Sequence, residues 1–464
     1  MTISQARTIA FDALLRVAKQ NAYADDVLRA ALDESVKTED AGLATELALG
    51  VLRWQRLLDF LIDRYLKKPS DVADAEVRIA LRLGFYQLYF LDRVPAHAAL
   101  NESVELVKRA RKRSAANLVN AILRKAAKET RNEISPPDAI AHLLPPETSH
   151  ADRLGIRYSH PTWMVERWIR TYGEERTRNL LQANNRVPAL SGYLLDPKKE
   201  EESRLQFRNA RTAILPGRLL RDAWIFEGGN PSICQPVREG WIALQDEASQ
   251  AVARLLAVDP GQTVLDLCAA PGGKTLLLAR AAGERGRVIA ADLHANRVRA
   301  MKERFERAGI RNVETFVLDG GESLPFEHPF QRILVDVPCS GTGTLARHPE
   351  IRWKIRSEDL SDLHARQARL LRNALLCLAP GGRLVYSTCS LEPEENEFVV
   401  REALSASGAN FQIADPRKAI EGSLQKSVDI ETLVGADRFF HTFPTEHGTD
   451  GFFGAVIERG GAKG

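Results

Sequence analysis

The chain has no uninterrupted apolar run approaching the roughly 18 residues of a membrane-spanning helix, which excludes an integral membrane protein of that kind. Its start, MTISQARTIAFDALLRVAK, lacks the apolar core of a secretion signal, and Asp12 argues against a transit peptide. Cysteine is scarce. There are 5 in 464 residues, an odd count without short repeated spacing, so no disulfide framework is expected. A zinc site would want closer ligand pairs and regularly spaced histidines. Neither is present, and no metal is expected. Net charge is also nearly absent, at +3, and by itself selects no partner. What remains is a reduced, cytoplasmic protein, expected to act as a monomer and away from membranes.

What the sequence does have is a globular composition, 44% hydrophobic and 27% charged, far from disordered extremes. At roughly 100–200 residues per domain the length suggests two to four domains. Two basic stretches stand out, Lys108, Arg109, Arg111, Lys112, Arg113 and the looser Arg204, Arg208, Arg211, Arg218, Arg221. Both suit phosphate contacts, although most charge runs are simply solvated faces.

Three segments are expected. Residues 1–145 read as an all-α bundle. Ala6, Ile9, Ala10, Ala13, Leu14 and Val17 share one helical face, as do Leu43, Leu47, Val51; Leu57, Leu61, Ile62; Val104, Val107; and Leu118, Ile122, Leu123. Pro136-Pro137 and Pro145-Pro146 punctuate its end. Residues 146–240 mix a helical stripe (Trp163, Val165, Trp168, Ile169) with extended pieces, ALSGYLL and WIF, and read as a small α+β segment. Residues 241–464 alternate strand and helix: VLDLC, RVIAAD, VETFVL, RILVDV and GGRLVYST are the strands of a Rossmann-like α/β domain with a mainly parallel sheet. Ligands of such sheets bind beyond the carboxyl ends of the strands, where every residue singled out below falls.

The first strand runs into DLCAAPGGKT. Gly273-Lys274-Thr275 could end a P-loop, but its first glycine would have to stand where Cys268 is, and Pro271 removes a backbone N–H. The better reading is an S-adenosylmethionine site. The turn Cys268, Ala269, Ala270, Pro271, Gly272, Gly273, Lys274 would approach the methionine part of the cofactor. Asp292, ending the second strand, would hold the ribose hydroxyls, and Asp319, after the third, would accept from the adenine amino group. Taken singly, each aspartate would more often be a helix cap or turn residue.

The remaining strand ends carry Asp336-Val337-Pro338-Cys339 and Ser387-Thr388-Cys389-Ser390. Cys377 lies in an apolar helix and reads as a small core residue. No role falls to Cys234. A strand-end thiolate beside a methyl donor suits alkylation at carbon 5 of a pyrimidine. The sulfur adds to carbon 6, carbon 5 takes the methyl group, and proton loss expels the thiolate. A thiol with an ordinary value of about 8.5 must be activated for this. Asp336 would assist at the base's N3 and amino group. Strand-end position does not separate the two cysteines, though the rigid Pro338 before Cys339 and the glycines after it favour Cys339 as nucleophile.

DLCAAPGGKT, DVPCSGTG and STCS, in that order, resemble the RNA 5-methylcytosine methyltransferases with two active-site cysteines. EGWIALQDEASQ, RHPEIRW, LEPEENE and DGFFGAVIER look like the same family. DAGLATELALGVLRW and VPAHAALNESVELVKRARKRSAANLVNAILRK resemble the NusB-like RNA-binding domain. Together, over nearly the whole chain, they resemble the bacterial small-subunit ribosomal RNA cytosine-C5 methyltransferases. The resemblance implies Cys389 as nucleophile and Cys339 in product release. It also implies cofactor contacts from residues 268–274, Asp292, Asp319 and Asp336, with Arg297 nearby, and 16S ribosomal RNA as partner. Asp-Val-Pro-Cys stands where Asp-Ala-Pro-Cys is more usual, and ANNRVPALSGYLL keeps less of the family's basic sequence. The rival readings are the same chemistry on transfer RNA, a non-catalytic RNA-binding factor and a P-loop ATPase.

Overall fold

The computed structural model describes residues 3–32, 36–68, 74–129, 137, 140–407 and 410–461. Pro136, one of the boundary prolines, lies outside these residues. The chain forms two compact units, Met1–Val187 with Leu345–Ser357, and Pro188–Thr344 with Glu358–Gly464. This division differs from the three segments expected. The helices of residues 146–187 belong with the N-terminal unit and the strands of 188–244 with the C-terminal one, so neither 145 nor 240 is where the units divide.

The first unit is helical. Helices Gln5–Gln20, Thr38–Arg53, Gln55–Asp63, Ala75–Phe90, Ala96–Arg109 and Ala116–Glu129 bury their apolar stripes in one cluster around Phe11, Leu47, Leu57, Phe85 and Leu123. One stripe differs from expectation by a residue: Leu118 is exposed and Val119 is buried in its place. The helix His150–Arg157 starts where the Ser149 hydroxyl accepts the Asp152 N–H at 3.2 Å. The basic run is largely paired. Lys108 bonds Glu105, Arg109 grips both oxygens of Asp12, and Lys112 bonds Asp74. In the second stretch Arg204 bonds Glu200 and covers the Trp224 ring.

Leu345–Ser357, though distant in the chain, is part of this unit. Its Arg352 is fully buried, with Nη1 donating to the Ser159 carbonyl (3.1 Å) and Asn185 Oδ1 (2.9 Å), and Nη2 to the Asn184 and Leu345 carbonyls (3.1 and 3.2 Å). Trp353 donates to the Leu52 carbonyl at 2.7 Å, and Lys354 to those of Asn21 and Ala22 at 2.8 Å.

The second unit holds two sheets. Strands β1 (Leu190–Leu194), β2 (Ala213–Pro216), β3 (Ala223–Glu227) and β4 (Ile242–Leu244) form an antiparallel sheet in the order β2-β3-β1-β4. The larger sheet contains β5 (Thr263–Asp266), β6 (Arg287–Asp292), β7 (Val313–Val317), β8 (Phe330–Asp336), β9 (Leu378–Thr388), β10 (Phe411–Ile413), β11 (Phe440–Thr442) and β12 (Phe452–Arg459). Its order is β10-β12-β9-β8-β5-β6-β7, with β11 on β12. The run from β9 to β7 is parallel, and β12 is antiparallel to β9. Apolar runs such as Val288–Ala291 and Ile333–Val335 are buried, as a sheet covered on both faces requires. The chain runs outward from β5 through β6 to β7, then returns to the other side of β5 as β8. That reversal makes the gap beyond the ends of β5 and β8 the switch point. Among the described residues no helix is long and apolar enough to cross a membrane.

Candidate active site

Asp266 ends β5 and Asp336 ends β8, so the topology alone brings two carboxylates to the switch point. The turn after Asp266 is shaped by Gly272, which has φ +91°. A Cβ there would come within 2.8 Å of Met301 and 2.9 Å of Phe305, so glycine is needed both for the backbone and for the space. The helix Gly273–Ala282 begins at once. Around the turn Asp292 accepts the Ala270 N–H at 3.2 Å and the His294 N–H at 3.1 Å. Arg297 stands 3.5 Å from Asp292 and donates to the Ala270 carbonyl at 2.8 Å. Lys274 Nζ pairs with Asp336 Oδ2 at 2.7 Å, and the Ser387 hydroxyl donates to Asp336 Oδ1 at 2.6 Å.

A cleft of about 130 Å³ opens here, with Asp266, Cys268 to Pro271, Gly273, Lys274 and Asp336 among its walls. Gln245, following β4, lines it too. Asp266 is 1% exposed. Its Oδ2 accepts the Thr275 hydroxyl at 2.7 Å and its Oδ1 has no protein partner. Burial pushes its carboxyl up to about 7. Burial, and the aspartates around it, push the Cys268 thiol up as well, so it is no ready nucleophile.

The two cysteines meet. Cys339 follows β8, Cys389 follows the neighbouring β9, and their sulfurs are 3.2 Å apart. The hydrogen bond with Cys389, then burial, hold the Cys339 thiol well above the usual cysteine range. Either sulfur can donate across this contact. The terminal DGFFG packs against the two cysteine loops through the backbone. Gly343 donates to the Cys389 carbonyl at 2.9 Å and Gly451 donates to the Gly343 carbonyl at 2.8 Å.

Of the residues singled out in the sequence, the 268–274 turn, Asp292, Arg297 and Asp336 cluster at the carboxyl ends of β5, β6 and β8, with Cys339 and Cys389 just beyond β8 and β9. Asp319 is different. It is exposed, lies two residues past β7, and accepts the Gly321 N–H at 2.8 Å, the turn role that is commoner for an aspartate. Sequence reasoning did not single out Asp266, which lines the cleft and was visible as the acid ending the strand before the glycine turn. Cys234 and Cys377 are likewise free thiols, raised by burial. Among the described residues no group of three or more His, Cys, Asp or Glu side chains could hold a metal ion.

A doubly wound sheet with a glycine turn, an acid after the next strand and a cleft at the switch point defines a Rossmann-like methyltransferase domain. Residues 253–458 match the 16S rRNA methyltransferase RsmB/F family, and residues 4–128 match the NusB family. The probable ribosomal RNA small subunit methyltransferase B of Bacillus subtilis is 31% identical over 467 residues, 99% of this chain and all of that one. The ribosomal RNA small subunit methyltransferase B of Pseudomonas syringae pv. tomato is 37% identical over 87% of both chains. Among solved structures, PH0851 superposes with a TM-score of 0.80 over 99% of this chain and 100% of its own, at 24% identity. A methyltransferase homolog from Pyrococcus horikoshii gives 0.55 over 68% of this chain and 100% of its own, at 26% identity. The chain belongs to the RsmB/F family of small subunit ribosomal RNA methyltransferases, with a NusB-like helical domain. Its cofactor is S-adenosylmethionine. The cleft fits that group: it offers a buried, unpartnered carboxylate oxygen of Asp266 for a cationic donor and backbone close to the glycine turn.

Proposed function

We propose that the protein methylates carbon 5 of a cytosine in 16S ribosomal RNA through a covalent adduct between Cys389 and carbon 6. The observation that carries this reading is the Cys339–Cys389 pair, two sulfurs 3.2 Å apart just beyond the ends of adjacent strands, with Asp336 of the cleft wall three residues before Cys339. A methyltransferase acting on an already nucleophilic nitrogen has no use for a paired thiol; carbon 5 of cytosine does.

Cys389 is the nucleophile, a role assigned from the family resemblance of its Thr-Cys-Ser motif, and Cys339 is its partner at contact distance. Its sulfur forms the bond to carbon 6, and the electron pair of the ring double bond moves to carbon 5. When bound, S-adenosylmethionine supplies an electrophilic methyl group. Carbon 5 bonds that methyl group, its proton passes to solvent, the double bond re-forms, and the bond between carbon 6 and Cys389 breaks with its electron pair returning to the sulfur. Cys339 serves that last release step. The turn at 268–274 and Asp292 hold the cofactor, with Asp266 added to that set and Arg297 bracing the turn. Asp336, fixed by Lys274 and Ser387, faces the base. Asp319, exposed past β7 and already accepting the Gly321 N–H, is kept for the adenine end on the family resemblance alone. The target base must be unpaired or flipped, at about a few kcal/mol. The helical domain contributes phosphate and shape contacts, in the cytoplasm where ribosomal RNA resides.

The test is tritiated methyl transfer to unmodified 16S RNA, with transfer RNA alongside, using wild type, Cys389→Ala and Cys339→Ala. Transfer to cytosine carbon 5, lost in Cys389→Ala and replaced by a trapped RNA adduct in Cys339→Ala, supports the assignment. Equal transfer by Cys389→Ala would remove the nucleophile from this residue, and preference for transfer RNA would remove the substrate.

A further inference from the structure

The Glu395 side chain is fully buried, yet it touches neither cysteine by hydrogen bond. Its partners are the residues next to them. Oε1 accepts the Ser340 N–H at 2.8 Å and the Gln367 amide at 2.9 Å. Oε2 accepts the Ser340 hydroxyl and the Ser390 hydroxyl. Ser340 directly follows Cys339 and Ser390 directly follows Cys389. One carboxylate thus gathers both cysteine loops, and all four donors are neutral. Further bonds hold the assembly in place. Gln367 also donates to the Pro338 carbonyl at 3.0 Å, and Tyr386 donates to the backbone carbonyl of Glu395 at 2.6 Å. The two serine hydroxyls are themselves 3.0 Å apart, and Asn396 donates to the Ser390 carbonyl at 3.0 Å. A buried carboxylate is costly to desolvate, and a buried network specifies one arrangement only when its carboxylate is satisfied, as here.

We infer that Glu395 is the positioning residue of the reaction: acting through Ser340 and Ser390, it fixes the Cys339 and Cys389 sulfurs at contact distance. The catalytic consequence rests on the two-cysteine reading given above, but the positioning itself does not. An amide can replace the carboxylate geometrically. Its oxygen would accept the obligatory N–H donors at the Oε1 position, and its NH2 would face two hydroxyls that can rotate to accept. An alanine leaves the Ser340 N–H without its acceptor and the loops without their tie.

The experiment compares wild type, Glu395→Gln and Glu395→Ala in two assays. In the first, purified protein without RNA is treated with diamide. Each Cys339–Cys389 disulfide formed transfers two hydrogens from the thiols to the diamide N=N bond, and peptide mass spectrometry distinguishes this disulfide from those of Cys234, Cys268 and Cys377. The second assay is methyl transfer. Glu395→Ala is expected to slow both by about tenfold or more, since displacements of about 1 Å cost rates of that order. Glu395→Gln is expected to stay within about threefold of wild type in both. Disulfide formation at the wild-type rate in a folded Glu395→Ala protein overturns the proposal, and so does a Gln variant as slow as the Ala variant. Should Glu395→Ala fail to fold, Ser390→Ala decides, since it removes one tie and leaves the carboxylate three donors. A slower disulfide then supports the proposal and an unchanged rate overturns it. Methyl transfer that survives Cys389→Ala would defeat the nucleophile assignment, while the disulfide rate alone would still decide the role of Glu395.

Discussion

Asp266 sits at the switch point with one oxygen on Thr275 and the other unpartnered, and its carboxyl is pushed up to about 7 because burial disfavours the charge. The consequence for stability has a definite sign. An unfolded aspartate titrates near 3.9. Between there and about 7 the folded chain holds a proton that the unfolded chain has lost, so stability falls as pH rises through that window and levels off above it. An asparagine in its place would not titrate, and its carbonyl could still accept from Thr275. Asp266→Asn is therefore expected to gain on wild type between about pH 5 and pH 8, by on the order of 2–3 kcal/mol at about 1.4 kcal/mol per pH unit. Urea unfolding of cofactor-free protein at both pH values measures this, and a pH-independent difference would contradict the assignment. The same variant should weaken S-adenosylmethionine binding. Asp266 was legible as the end of a strand, but its isolation was not, because burial on both sides comes from β6 and β8, which lie elsewhere in the chain.

Among the elements, the loops after β8 and β9 are held by backbone as well as by side chains. A Cβ on Gly343 would stand 2.1 Å from the Gly451 carbonyl oxygen and 2.9 Å from that of Cys389. Carbonyls tied into this packing cannot move aside like a flexible side chain, so Gly343→Ala must pry the terminal strand's entry from the cysteine loop. Overpacking of this kind costs about 1–3 kcal/mol, and the displaced Cys389 should lower methyl transfer by more than about tenfold. A urea midpoint and a single-turnover rate check the two halves. A variant with normal transfer would show that the loops tolerate separation. The order of the motifs was readable because each strand end carries its own signal, a glycine turn, an acid or a cysteine. The closeness of Gly343 to Gly451 was not readable, because the two are far apart in the chain. Leu118 shows a smaller limit. Leu118 and Val119 are adjacent apolar residues on one helix, and only packing decides that Val119 goes inside.

At the scale of the whole molecule, the sequence order misleads about which unit a segment serves. RHPEIRW follows Cys339 closely and reads as part of the catalytic domain, yet Leu345–Ser357 belongs to the helical unit. The reason is hydrogen bonding. Arg352, Trp353 and Lys354 donate to carbonyls at Ser159, Asn184, Leu52, Asn21 and Ala22, partners that no local pattern announces. Arg352 is the centre of this, a buried guanidinium whose bonds end on neutral oxygens. Replacing it with Met keeps much of the volume and removes the burial cost of the charge, but strands several carbonyls at about 1–3 kcal/mol each. The net expectation for Arg352→Met is a loss of about 2–3 kcal/mol. A fragment of residues 1–187 lacks the segment altogether and should melt lower than the same helices in the full chain. Adding a synthetic peptide of residues 345–357 should raise its melting temperature in a concentration-dependent way, since a ligand that binds only the folded state stabilises it by mass action. A scrambled peptide provides the control. Equal melting with and without the true peptide would mean that the helical unit completes itself without this segment, and that the bonds of Arg352 follow its fold rather than support it.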